Sequence, residues 1–221
     1  MDAALEREAR RLLRRYQVEV VERFGLCPWA EPARTRGEVR VDIVDEADAG
    51  AALDAFLGDA SMTIGLVVMP RFTGDARALR RVRDELLTSA RARVLALADF
   101  HPEAARDDAT AERLVPWLRR SPDAMLQAVR HETLASLRRA TTTLDPASQL
   151  AVLAGRVLTP RTDPAAVVAA MNHAVVRSQG DLVATALDAI ARDRAETYAE
   201  LDQLALERAE SYAELDVRTR R

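Results

Sequence analysis

There is no lysine in this chain, and all 32 of its basic residues are arginine. That absence excludes lysine Schiff bases, pyridoxal-phosphate catalysis among them, and phosphate binding through a P-loop lysine. A single cysteine, Cys27, cannot form an internal disulfide and fits a reducing compartment. Aromatic residues are only 4% of the 221, so a core has to be assembled from Ala, Leu and Val. The eight glycines include no dinucleotide-binding pattern. No H-E-x-x-H or C-x-x-C spacing is present, which leaves no metal site to expect beyond a loose grouping of Asp107 and Asp108 with His101. No apolar run approaches the roughly 18 residues of a membrane helix, and Met1-Asp2-Ala3-Ala4-Leu5-Glu6-Arg7 lacks the apolar centre of a signal peptide. A formal charge of -3 argues against a surface that coats nucleic acid. The expectation is a cytoplasmic protein with neither a membrane nor a nucleic-acid partner.

What the chain does have is an ordinary globular balance, 48% hydrophobic and 30% charged residues. Leu5, Ala9, Leu12, Tyr16, Val20 and Phe24 recur at helical steps and predict a long first helix, capped by Gly25. Residues 38–44 alternate polar and apolar, the mark of a half-buried strand. The continuous apolar run 63–69, ended by Pro70, reads as a central strand covered on both faces. A third strand is expected over 94–100, with helices over 47–57 and 75–90 between the three. Crossovers of this kind make the strands parallel, so Asp45, Arg71 and His101 share one edge of the sheet, beyond the strand ends where ligands bind in open parallel sheets. Residues 103–118 read as irregular. Ser121-Pro122-Asp123 reads as the capped start of a helix running to about Arg139.

The fold expected is therefore α/β: a small parallel sheet of about three strands with flanking helices over residues 1–145, then an α-helical extension over 146–221. Helical stretches are expected near 147–157, 164–178 and 181–217. The last holds a repeat: Arg194-Ala-Glu-Thr-Tyr-Ala-Glu-Leu-Asp202 returns as Arg208-Ala-Glu-Ser-Tyr-Ala-Glu-Leu-Asp216. An offset of two heptads puts Tyr198, Tyr212, Leu201 and Leu215 on one face, which suggests a helical hairpin or a homodimer seam.

Three proline-centred motifs carry the candidate chemistry: Cys27-Pro28-Trp29, Phe100-His101-Pro102 and Arg119-Arg120-Ser121-Pro122. His101, at a strand end, is placed to act as general acid or base, or else to plug the sheet edge through a backbone hydrogen bond. Cys27 is either a nucleophile or a structural thiol. Its position after a helix C-terminus does not favour an anion. Arg119, Arg120 and Ser121 at a helix start would bind a carboxylate or phosphate, with Arg71 as a further substrate contact. The alternative is a capped helix whose arginines pair with nearby acids. No cofactor is identified by these residues. A haem held through Cys27 or His101 is a weaker alternative, because Cys-Pro pairs resemble haem-regulatory motifs.

Gly25-Leu26-Cys27-Pro28-Trp29-Ala30, Phe100-His101-Pro102 and Arg120-Ser121-Pro122-x-x-Met125-Leu126, in that order, resemble a bacterial family known as a domain of unknown function. The resemblance covers roughly residues 5–140. It implies that Cys27, Pro28, His101, Pro102, Arg120, Ser121 and Pro122 are the matching motif positions, and it brings no activity with it. The family tends to carry an asparagine-containing stretch before the Arg-Ser-Pro and a Tyr-Pro after it. This chain has Trp117-Leu118-Arg119 and Asp123-Ala124 there. The function expected is an enzyme acting on an anionic small molecule. A non-catalytic binding or assembly protein using the C-terminal helix is the alternative.

Overall fold

The first helix, α1 (Ala3–Arg15), turns Leu5, Ala9, Leu12 and Leu13 inward, with Asp2 capping its first turn. It widens into a π-helical segment over Tyr16–Glu22 and stops at Gly25, whose φ of 63° is the left-handed conformation that a helix end requires. These details come from a computed structural model that describes residues 2–135 and 164–219. A short helix α2 (Ala30–Thr35) follows, then β1 (Val39–Ile43), a 3-10 turn and α3 (Ala49–Gly58), β2 (Ile64–Met69), α4 (Ala76–Leu86), α5 (Ser89–Ala92) and β3 (Leu95–Phe100). α6 (Ala111–Leu118) and β4 (Ala124–Arg130) complete this part of the chain, and α7 (Pro164–Thr219) comes last.

The sheet has four strands in the order β1-β2-β4-β3. β1 and β2 are parallel, whereas β4 is antiparallel to both β2 and β3. The expectation of three adjacent parallel strands is therefore corrected. β1, β2 and β3 do point the same way, but β4 lies between β2 and β3 and makes the sheet mostly antiparallel. The helix expected from Ser121 is also corrected, because residues 124–130 form this strand. Ala-Met-Leu-Gln-Ala-Val-Arg is rich in helix formers, but pairing on both edges outweighs a preference of a few tenths of a kcal/mol per residue. Residues 111–118, read as irregular, form α6, with the Thr110 side chain accepting from the Arg113 N–H.

β2 shows why an unbroken apolar run suits this position. Leu66 and Val68 enter a core shared with α1, α6 and α7, while Val67 and Met69 enter a second core with α3 and α4. Helix α7 packs on the first of these faces and contributes Val176, Val183, Leu187, Ile190 and Tyr198. Its one non-helical residue is Gln179, with φ -134° and ψ 17°. The helix expected at 147–157 and the side chains of Tyr212 and Leu215 lie outside the described residues. Among the described residues, no helix is long and apolar enough to cross a membrane.

Candidate functional site

The carboxyl ends of β1, β2 and β3 and the start of β4 meet at one edge of the sheet, since Met69 pairs with Ala124 and Phe100 with Met125. His101 sits there, buried. Its Nε2 lies 3.0 Å from the carbonyl of Gly74, which can only accept, so Nε2 carries the proton. Its Nδ1 accepts the Glu103 N–H at 3.2 Å, and its own backbone N–H donates to the Arg119 carbonyl at 3.1 Å. Phe72 meets the ring edge-on at 6.4 Å. Gly74 can come this close only because it lacks a side chain: a Cβ there would stand 2.6 Å from the Ala78 methyl and 2.8 Å from the Phe72 ring. Both imidazole nitrogens are thus engaged with backbone, and ring and backbone N–H together join His101 to Gly74, Glu103 and Arg119.

The paired arginines separate in role. Arg120 donates from Nε to the Pro102 carbonyl at 2.9 Å and pairs with Asp188 of α7 at 3.1 Å. Ser121 turns the chain: its N–H donates to the Arg119 carbonyl, and its hydroxyl donates to the Asp123 carbonyl. The helix dipole expected behind these residues is absent because β4 follows, so Ser121 and Arg120 do not form the anion-binding helix start anticipated for them.

Arg119 is different. Its guanidinium carbon stands 5.5 Å from the centre of the Phe100 ring, a cation–π contact. Every other half-buried arginine among the described residues has a carboxylate or carbonyl partner: Arg15, Arg34, Arg40, Arg83, Arg91, Arg120, Arg130 and Arg194. Arg119 has neither. The nearby Asp99 is held by Arg83, with Arg80 at 3.9 Å. Burial lowers the basicity of Arg119, and attraction to Asp99 and Tyr16 only partly offsets it. Its nitrogens still reach solvent, since the one buried side-chain polar atom without a partner among the described residues is Asn172 Oδ1.

Tyr16 lies beside this cation, in the π-helical segment. Its hydroxyl donates to the Leu118 carbonyl at 2.8 Å. Burial pushes the phenol's pKa far up, the charge of Arg119 pulls it down, and Cys27 raises it again. Tyr16 therefore links the first motif to the third. Cys27 itself stands just before α2, with the backbone N–H groups of Trp29 and Ala30 directed at its sulfur. Those donors would favour a thiolate, in opposition to the helix C-terminus before it. Burial is nevertheless the larger effect and pushes the thiol up.

The same edge holds a residue that sequence reasoning missed. Asp123 is 1% exposed; its Oδ1 accepts from Arg194 Nε at 2.7 Å and its Oδ2 from the Tyr198 hydroxyl at 2.8 Å. Arg194 also reaches the Pro70 carbonyl at 3.3 Å and lies over the Tyr198 ring at 4.6 Å. Arg71, expected to contact substrate, instead pairs with Asp202 at 2.6 Å. Asp193 binds Arg11 through both oxygens at 2.7 Å, and Arg15 as well. The first copy of the repeat is thus a clasp between α7 and the core. The spacing of Arg194, Tyr198 and Asp202 at four-residue steps on one helical face was the available signal.

Of the residues expected at the site, Cys27 and Arg119 both act electrostatically on Tyr16. The structure commits His101, Arg120 and Ser121 to the corner at this sheet edge and Arg71 to α7. No curated protein and no solved structure matches the chain. The matched family segment, residues 8–151, takes in the whole sheet and all three motifs and ends before α7. By that match the chain belongs to the family described as protein of unknown function (DUF1415).

Proposed function

We propose that this protein is a bacterial cytoplasmic enzyme that binds a small carboxylate or phosphate at Arg119 and acts on it there. The observation that carries the reading is the half-buried guanidinium of Arg119 over Phe100, without a carboxylate or carbonyl partner, where the other half-buried arginines among the described residues are all matched. A cation held in a partly desolvated place gains more from an arriving anion than an exposed one does, because water competes less for both. The planar guanidinium would meet a carboxylate or phosphate in a two-point contact. Tyr16 lies beside it, and Cys27 acts electrostatically on Tyr16 in turn. The thiol is kept neutral by burial, so it stands ready to donate a hydrogen bond. His101 holds the corner in shape.

Calorimetric titration with inorganic phosphate and with short mono- and dicarboxylates tests the binding step. Saturable binding by the native protein, lost in Arg119→Gln while Arg14→Gln behaves as native, supports the reading. Equal binding by all three proteins, or none by any, overturns it.

A second reading, a non-catalytic assembly protein, is favoured by Leu204 and Leu206 of α7, which stand 48% and 60% exposed beyond the clasp.

A further inference from the structure

Every polar contact that the middle of α7 makes with the core recurs in sequence 14 residues further on. Arg194 and Tyr198, which grip Asp123, have Arg208 and Tyr212 as counterparts. Asp202, the partner of Arg71, has Asp216. Asp193, bound by Arg11 and Arg15, has Glu207, and Thr197 beside it has Ser211. Even Asp188, the partner of Arg120, is matched, by Asp202.

The apolar side follows in part, since Val183 and Ala186 have the polar Thr197 and Glu200 as counterparts. Val176, Leu187 and Ile190 are buried, and the residues 14 positions on are Ile190, Leu201 and Leu204. Leu204 is 48% exposed where its counterpart Ile190 is 2% exposed. Two heptads keep nearly the same face of a helix toward the core, so the shift changes register with a rotation of only about 40°.

We infer that the Asp123–Arg71 edge of the core is a docking surface for two alternative segments of α7, the second being Leu204–Asp216 of the same chain. Moving from one register to the other carries the helix about 21 Å along its axis, at 1.5 Å per residue. The start of α7 is then released from the core, and the end of α7 is drawn in.

Positions 180, 183 and 186 distinguish the two registers, since the second brings Thr197 to the fully buried place of Val183 and Glu200 to that of Ala186. In the second, Arg194 arrives where Gly180 sits, and there even a Cβ would be 3.0 Å from an Arg106 guanidinium nitrogen. That contact favours the first register, the one described above. Weakening the first segment shifts the balance toward the second, because a two-state equilibrium follows the difference between its states.

Hydrogen exchange on the full chain tests this. In Arg194→Gln/Tyr198→Phe, protection should fall over residues 164–177 and rise over 210–219, and adding Arg208→Gln/Tyr212→Phe should abolish the rise. The reciprocal variant, Arg208→Gln/Tyr212→Phe alone, leaves the first register's contacts intact and guards against a misfolded first variant. It should keep the native melting temperature while slowing exchange over 164–177. Loss of protection along all of α7 with no gain at 210–219 overturns the inference. So does a doubled mass in light scattering for the first variant, which would mean exchange between two copies.

Discussion

Asp123→Asn is the substitution that most sharply probes how the core and α7 are joined. The carboxylate is 1% exposed and accepts two hydrogen bonds, from Arg194 at 2.7 Å and from Tyr198 at 2.8 Å. Asparagine keeps the volume, so no cavity opens. It removes the charge that Arg194 faces and turns an N–H₂ group toward one of two donors. Breaking a buried pair costs about 3–5 kcal/mol. The Arg194 side chain keeps 28% of its exposure, which places the loss near the low end, about 3 kcal/mol. For a chain of this length that is a fall in melting temperature of roughly 6–12 °C. Urea unfolding followed by circular dichroism gives the free energy, and a cycle with Arg194→Gln isolates the pair. A coupling of about 1.5–3 kcal/mol is expected. A loss below about 1 kcal/mol, or strict additivity with Arg194→Gln, would refute the clasp.

Three further outcomes follow from the same contacts. His101→Ala removes the bonds to Gly74 and Glu103, and chemical denaturation should show a loss of about 2–4 kcal/mol; a neutral result would return His101 to the free acid–base role. Cys27, its thiol pushed up by burial, should react with iodoacetamide at pH 7 more slowly than free cysteine and catch up only on unfolding in urea; fast labelling of the native chain would contradict the burial. Asp193 is held below the ordinary carboxylate range, chiefly by its hydrogen bond from Arg11. Its contribution is therefore complete above the unfolded value of about 4 and is lost as the pH falls below it, so Asp193→Asn should flatten the acid limb of melting temperature against pH.

The three strands that point one way were readable because each announces itself locally: alternation in β1, an apolar run in β2, and a proline after both β2 and β3. β4 was not, because Ser121-Pro122-Asp123 followed by Ala, Met and Leu satisfies every local rule for a helix start. The decision is made by partners about 60 residues away, where Leu66 lies opposite Gln127. The arginine pair misled for the same reason. Without a helix behind it, Arg120 becomes a strut, and Arg119 gains its standing from Phe100 and from the pairing of the nearby Asp99 with Arg83 instead. Cys27 was judged by the helix before it, whereas α2, the helix after it, supplies the nearer donors. The repeat was visible at once. What it grips was not, because a buried aspartate between a proline and an alanine gives no periodic signal.

The central claim is that Arg119 waits for an anion. The most direct measurement is the ¹⁵N–¹H resonance of its Nε during titration with inorganic phosphate. The account predicts a saturable shift at Arg119, larger than at exposed arginines such as Arg14 and displaced by a short dicarboxylate. A shift at Arg119 that only grows in proportion to phosphate, in step with Arg14, would contradict it.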